Sequence, residues 1–174
     1  MKFAPDIRKT HVDSPLGALV LAATDAGLAG LWFDDQKHQP AWADWPERAD
    51  DPLLQQAVTQ LQEYFDGTRI SFDLPLDLRG GTPFQQSVWQ ALLHIPYGVC
   101  TTYGTLSSAL ERPDAVRAVG TAVGRNPLGI IVPCHRVLGA DGSLTGYAGG
   151  LGRKAALLTL ESGASATDDF ELTA

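Results

Sequence analysis

Two kinds of hydrophobic spacing divide the chain near residue 80. Before it, apolar residues come in short runs that read as strands and turns. Gly17 to Thr24 and Leu28 to Phe33 are joined by Asp25-Ala26-Gly27, the composition of a hairpin turn. Thr10 to Val12, ahead of Ser14-Pro15-Leu16-Gly17, adds an edge strand. Asp34 to Asp51 is polar apart from Trp42 and Trp45 and reads as a loop. Asp51-Pro52 then supplies an N-cap and a first-turn proline, and Leu54, Val58, Leu61 and Phe65 follow at helical spacing as far as Gly67. Ile70 to Leu74 predicts one more strand. Leu78-Arg79-Gly80-Gly81 is the boundary expected between a domain of residues 1–79 and one of residues 82–163.

From Thr82 the spacing turns helical. Thr82-Pro83-Phe84-Gln85 is a capping box with proline at the first helical position. Phe84, Val88, Ala91, Leu92 and Ile95 form the apolar face behind it, and Pro96-Tyr97-Gly98 stops the helix. A short helix from Thr102 or Tyr103 to Leu110, a turn over Glu111-Arg112-Pro113-Asp114 and a second helix from Ala115 to Gly124 come next. This pattern suits a DNA-reading helix-turn-helix and equally an ordinary helical hairpin. Asn126-Pro127 ends the second helix. Ile130-Ile131-Val132, apolar and β-branched, predicts a buried strand running straight into Pro133-Cys134. Gly139 to Gly152 holds six glycines and reads as a loop close to backbone or ligand. Arg153 to Glu161 predicts the last helix, stopped by Gly163, and residues 164–174 a flexible acidic tail.

Composition narrows the function classes. Hydrophobic residues make up 44% and charged residues 19%, which excludes a wholly disordered chain. Two cysteines, Cys100 and Cys134, are too few for a disulfide scaffold. No Cys-x-x-Cys pair exists, and no two of His11, His38, His94 and His135 have the spacing of a helical zinc pair. The expectation is a cytoplasmic protein with free thiols, no metal and no cofactor. Met1 to Asp13 lacks the apolar core of a signal peptide, and the run around Ala18 to Ala23 is too short to span a membrane. The net charge of −7 is unevenly spread. Residues 1–79 carry 7 basic and 13 acidic groups, residues 80–154 carry 6 and 3, and residues 155–174 carry none and 4. The basic middle is a modest footprint for phosphate, so salt-sensitive DNA affinity is expected rather than tight non-specific binding.

Cys134 is the foremost chemical candidate. Pro133 fixes the direction of the chain, His135 is adjacent and Arg136 follows. A cation near sulfur would favour the thiolate. A buried thiol packed as a small hydrophobe is the plainer alternative. On an extended strand His135 would face away from the sulfur, a gap that a bridging water would close. Glu161 reads either as a helix-end carboxylate in water or as the third member of a carboxylate–imidazole–thiol relay.

Residues 82–162 resemble the catalytic domain of the O6-alkylguanine-DNA alkyltransferases of the constitutive bacterial type. The matching pieces are Phe84-x-x-x-Val88-Trp89, Ile95-Pro96-x-Gly98, Thr102-Tyr103-Gly104, Arg117-Ala118-Val119-Gly120, Asn126-Pro127, Pro133-Cys134-His135-Arg136-Val137, Gly146-Tyr147-x-Gly149-Gly150-Leu151, Lys154 and Glu161. The ordered set is far more specific than the pentapeptide alone. The resemblance implies an α+β fold: a small N-terminal antiparallel sheet with a helix, ribonuclease H-like, and a mostly helical C-terminal domain containing the helix-turn-helix. It implies a protein that, as a monomer, takes an alkyl group from O6-alkylguanine in double-stranded DNA, with O4-alkylthymine a further candidate. Cys134 would be the nucleophile and permanent acceptor. His135 would deprotonate it through a water, with Glu161 orienting the imidazole. Asn126 would bond the turn that ties the DNA-reading helix to the active-site strand. Tyr103 would donate to the leaving guanine. Tyr147 and the backbone N–H of Ala148 would line the pocket, and the carbonyl of Val137 would accept from the exocyclic amine. Arg117 would fill the gap left by the extruded nucleotide, Ala118 would let its helix approach the minor groove, and Thr102 would join the DNA contacts.

Without the resemblance, Arg117 reads as a solvated helix arginine and Tyr103 as packing between two short helices. The chain lacks the cysteine and histidine set that binds zinc in some animal members. It also lacks the cysteine-rich module of the inducible bacterial regulators. A lesion-binding protein that does no chemistry and a cysteine hydrolase are the rival readings. Cys134 itself argues against the first, because relatives that only bind put tryptophan there. The lack of a further oxyanion donor site argues against the second.

Overall fold

The computed structural model describes residues 1–163; the tail expected over residues 164–174 lies outside the described residues. Strands β1 (Arg8–Val12), β2 (Leu19–Thr24) and β3 (Gly27–Phe33) form an antiparallel sheet in that order. The Asp25-Ala26 turn sets the β2–β3 register, pairing Thr24 with Gly27. Strands β2 and β3 are buried along their whole length rather than on alternate residues. Leu19, Leu21, Leu31 and Phe33 face the main core, while Ala22, Ala29 and Trp32 face a second cluster that Phe3, Trp42 and Trp45 cover. The two tryptophans of the polar loop therefore roof the outer face of the sheet, with ring centroids 5.8 and 6.0 Å from Trp32.

Helix α1 (Pro52–Phe65) begins as expected. The Asp51 carboxylate accepts from the Leu53 and Leu54 amides, and Pro52 occupies the first turn. Gly67 follows with φ 73°. The strand expected at Ile70 to Leu74 does not form. Gln60 of α1 bonds both the amide and the carbonyl of Asp73, so side chains satisfy this backbone instead of a ladder. Ladder-like pairing is limited to one bridge between Leu28 and Leu76.

Helix α2 (Pro83–Leu92) carries the full capping box, with Thr82 and Gln85 bonding each other's backbone. Strand β4 (Thr101–Thr102) leads into α3 (Tyr103–Ala109). After a turn and a short 3₁₀ segment, Pro113–Ala115, comes α4 (Val116–Gly124). Val119, Ala122 and Val123 of α4 are buried; Arg117, Ala118 and Thr121 face outward. Trp89 anchors α2 to α4 through its indole N–H, 2.9 Å from the Ala122 carbonyl. Strand β5 (Val137–Leu138) pairs in parallel with β4. The last helix, α5, spans Leu151–Glu161 and starts two residues earlier than its apolar spacing suggests. One continuous core joins both halves, from Leu54 and Tyr64 of α1 to Val132 and Leu157 near the candidate site.

Candidate active site

The buried strand expected at Ile130 to Val132 is absent, although all three residues are buried. The segment instead folds as successive tight turns. The Val132 amide donates to the Leu128 carbonyl, that of Ile131 to Gly129, and that of Cys134 to Val132. Ile130 is forced to φ 70°, a left-handed conformation that is costly for a β-branched residue. Asn126 organises this segment. Its Nδ2 donates to the Val132 carbonyl at 2.8 Å, and its Oδ1 accepts from the Leu128 amide at 3.0 Å. A local side-chain bond thus competes with strand formation and wins.

Cys134 opens a 3₁₀ turn, Cys134–Arg136. Consequently Cys134 and His135 are not on opposite faces of an extended strand. Arg136 is not the sulfur's cation either. Its Nε and Nη2 donate to the two oxygens of Glu161, both at 2.8 Å, and its Nη1 to the Ile95 carbonyl at 2.6 Å. The buried cation in the thiol's surroundings is Lys154, whose charge favours ionised Cys134. Lys154 donates to the Val137 carbonyl at 2.6 Å and the Thr145 carbonyl at 2.8 Å. Burial pushes the Cys134 thiol up, against the opposing pull of Asn126, Lys154 and the Cys134 and His135 amides. At neutral pH the sulfur therefore holds its proton and needs a base.

The candidate base is the next residue in the chain, His135, held from α5. Lys154, Leu157 and Glu161 form the buried face of α5, at helical spacing. Glu161 Oε1 accepts from Tyr64 Oη and His135 Nε2, each at 2.7 Å, and from Arg136. Its Oε2 accepts from Arg136 Nε and, at 3.3 Å, from the Gly98 amide. Burial opposes ionisation, but the bonds from His135, Arg136 and Tyr64 outweigh it and hold Glu161 well below the usual carboxylate range. An ionised carboxylate can only accept, so His135 Nε2 carries hydrogen. Burial lowers His135, against the pull of Glu161, so the imidazole is neutral at pH 7. Its Nδ1 is then a bare lone pair, and it is the one buried side-chain nitrogen or oxygen among the described residues that has no partner. A space of about 20 Å³ adjoins Cys134, lined also by Gln36, Asn126, Tyr147 and Ala148. That volume admits a single water.

A larger cleft of about 620 Å³ lies outside it, between Gly120 and Gly124 of α4 and the glycine loop. Tyr103, Tyr147 and Ala148 all line this cleft. Tyr103 Oη donates to the Thr145 carbonyl at 3.2 Å, and burial raises both tyrosine hydroxyls. Gly120 packs beside the Tyr103 ring, which a Cβ there would meet at 3.7 Å, an ordinary contact. The Ala148 carbonyl is occupied by the Lys37 amide at 3.0 Å. Val137 sits behind Cys134 in β5, its carbonyl taken by Lys154. Thr102 caps α3 by accepting from the Thr105 amide at 3.1 Å. Arg117 and Ala118 stand on the exposed side of α4, apart from the thiol. Thus Cys134, Asn126, Tyr147 and Ala148 line one small chamber, Tyr103 lines the cleft outside it, His135 and Glu161 are paired with each other, and the three DNA-contact candidates lie at the helix-turn-helix.

Sequence reasoning missed the roles of Arg136, Lys154 and Tyr64. For Lys154 the signal was its helical register with Glu161, seven residues on. Tyr64 carried none, since it lies 97 residues from its partner.

Residues 83–163 match the family model described as 6-O-methylguanine DNA methyltransferase, DNA-binding domain, and residues 7–78 the one described as its ribonuclease-like domain. A methylated-DNA–protein-cysteine methyltransferase of Mycobacterium tuberculosis (strain CDC 1551 / Oshkosh) is 49% identical over 157 residues, covering 90% of this chain and 93% of that protein. The constitutive one of Bacillus subtilis is 46% identical over 159 residues, covering 87% and 93%. The crystal structure of Mycobacterium tuberculosis OGT in complex with DNA superposes with a TM-score of 0.83 at 48% identity, over 91% of this chain and 96% of that one.

Proposed function

Because this chain belongs to the methylated-DNA–protein-cysteine methyltransferase family, we infer that it repairs alkylated DNA by direct reversal, moving the alkyl group to its own Cys134. The observation that carries this reading is a protonated thiol beside a water-sized space, followed in the chain by a neutral imidazole whose Nδ1 is unpartnered and whose Nε2 is backed by an ionised carboxylate.

The thiol proton passes through one water to His135 Nδ1, and Glu161 stabilises the imidazolium that forms. Cys134 Sγ attacks the carbon bonded to guanine O6. The carbon–oxygen bond breaks, its electron pair stays on the guanine, and Tyr103 supplies a proton to the ring. His135 returns its proton to solvent and Tyr103 is reprotonated, so the net change moves one proton from sulfur to base. The product is a thioether, a very poor leaving group. The protein is therefore consumed in one transfer.

The alkylated oxygen lies inside a duplex, so the nucleotide must be turned out, at a cost of a few kcal/mol. Arg117 stands in for the displaced base, and Ala118 and Thr102 flank it against the DNA. The 20 Å³ beside Cys134 holds a water but no purine. Entry of the base thus requires the loop carrying Tyr147 and Ala148 to move outward, breaking the Lys37–Ala148 bond. Asn126 keeps the thiol in place meanwhile, and the Val137 backbone and the Ala148 amide are the groups assigned to read the base edge. In this reading the protein acts as a monomer on double-stranded DNA in the cytoplasm, where the two free thiols, Cys100 and Cys134, persist.

The test is intact mass before and after exposure to a duplex containing O6-methylguanine. One methyl should appear on the peptide bearing Cys134, with one equivalent transferred per protein. Continued turnover, or transfer by a Cys134→Ala variant, would overturn the assignment.

A further inference from the structure

We propose that Tyr64, on helix α1 of the N-terminal half, is a positioning residue of this proton relay: its hydroxyl holds the Glu161 oxygen that serves His135 and limits how strongly that oxygen draws on the imidazole. The inference rests on the reading of His135 as the base.

Three donors converge on Glu161 Oε1, from Tyr64, His135 and Arg136. Arg136 grips both oxygens and fixes the carboxylate plane without help. Tyr64 adds no second anchor point. It adds a neutral donor to the very oxygen His135 uses, at the same 2.7 Å. A donor that stabilises a carboxylate lowers its proton affinity, so the His135 bond to that oxygen weakens. The Tyr64 ring packs edge-on against Phe65 and Tyr97 and tilted against Phe72, which phenylalanine would do equally well. The hydroxyl is therefore unexplained by packing. Tyr64 is fully buried, and its only route to function is through Glu161. The charged and titratable groups around His135 are Glu161 and Lys154 from α5, and Cys134 and Arg136 from its own turn. Tyr97 faces the far side, against Arg136 and Glu161. Tyr64 alone brings a group from the segment matched by the ribonuclease-like domain into this cluster.

The experiment compares the full chain with Tyr64→Phe. The first readout is the proton resonance of His135 Nε2–H at fixed pH, which reports the bond to Glu161 whether or not alkyl transfer occurs. It should move downfield. The second is the single-turnover rate against pH, on duplex O6-methylguanine and on free O6-benzylguanine. Its acid limb should shift up by about 0.5 unit on both substrates, a roughly threefold loss of rate below the limb. An unmoved resonance would overturn the proposal, whatever the melting temperature does. A moved resonance with an unmoved limb would instead overturn the role of His135 as base. Should Tyr64→Phe not fold, 3,5-difluorotyrosine placed at position 64 keeps ring and hydroxyl and donates more strongly. It should move the resonance upfield, and no movement would equally refute the role.

Discussion

Asn126→Ala is the most informative single change, because one small side chain holds the turn that delivers Cys134. Alanine removes the donor to the Val132 carbonyl and the acceptor of the Leu128 amide. Both are buried backbone groups, and the left-handed Ile130 lies between them. The Leu128 amide is left unpaired, at about 1–3 kcal/mol, while the Val132 carbonyl keeps the Cys134 amide and loses one bond of about 0.5–1.5 kcal/mol, so the two together cost about 1.5–4.5 kcal/mol. A chain of this size has roughly 5–15 kcal/mol of stability in total, so the variant still folds in most of that range. At about 2–4 °C per kcal/mol the melting temperature should fall by about 3–18 °C. The strained Ile130 gains freedom once the turn is untied, and the thiol loses both its placement and the Asn126 contact that favours its ionised form. Transfer at 25 °C, where the variant is folded, should slow by at least about tenfold, or about 1.4 kcal/mol of barrier. Urea unfolding followed by tryptophan fluorescence, together with single-turnover kinetics, measures both. A loss under about 1 kcal/mol with an unchanged rate would refute the view that Asn126 ties this turn.

Glu161→Gln should destabilise the fold by about 3–5 kcal/mol, since it strands the buried Arg136 guanidinium; a loss below about 1 kcal/mol in urea unfolding would count against the cluster. Glu161 and Asp77 are both held below the usual carboxylate range in the folded state. Their contribution is present above an unfolded value of about 4 and is lost as pH falls, by up to about 1.4 kcal/mol per unit and group. Acid unfolding monitored by near-ultraviolet circular dichroism should therefore begin below about pH 4 from these groups, and a stability flat from pH 4.5 to 2.5 would contradict it. Because burial lowers His135, the acid limb of the transfer rate should have its midpoint below the ordinary imidazole value of about 6.5; a midpoint at or above that value would contradict the lowering. Arg117→Ala should slow duplex repair at least about tenfold more than reaction with free O6-benzylguanine, which needs no extrusion. Equal losses on both substrates would remove its assigned role.

Much of this protein is legible from local chemistry. The capping box at Thr82, the Asp51 cap, the β2–β3 turn and the two helices around Arg112-Pro113 all depend on residues within a few positions of one another. The thiol and its neighbours were legible for the same reason, as an ordered series of motifs. Two strands read from apolar runs were not there. At Ile70 to Leu74, Gln60 of a separate helix takes up the backbone, and at Ile130 to Val132, Asn126 folds the chain back on itself. β-branching marks burial at Ile130 to Val132 but not at the exposed Ile70, and in both segments hydrogen-bond partners decide against a strand. Charge was least legible. From sequence, Arg136 is a candidate cation for the sulfur, and Lys154 is a matching residue of the resemblance with no role assigned. In the fold Arg136 turns to Glu161, Lys154 is buried under the thiol's turn, and Tyr64 arrives from the other half of the chain. Buried charges must find compensating partners wherever the packed chain places them, so their pairing is a property of the tertiary structure. Local sequence marks Cys134 as the candidate nucleophile, whereas the pairing of His135 with Glu161, and of Glu161 with Arg136 and Tyr64, joins residues far apart in the chain and so comes from packing.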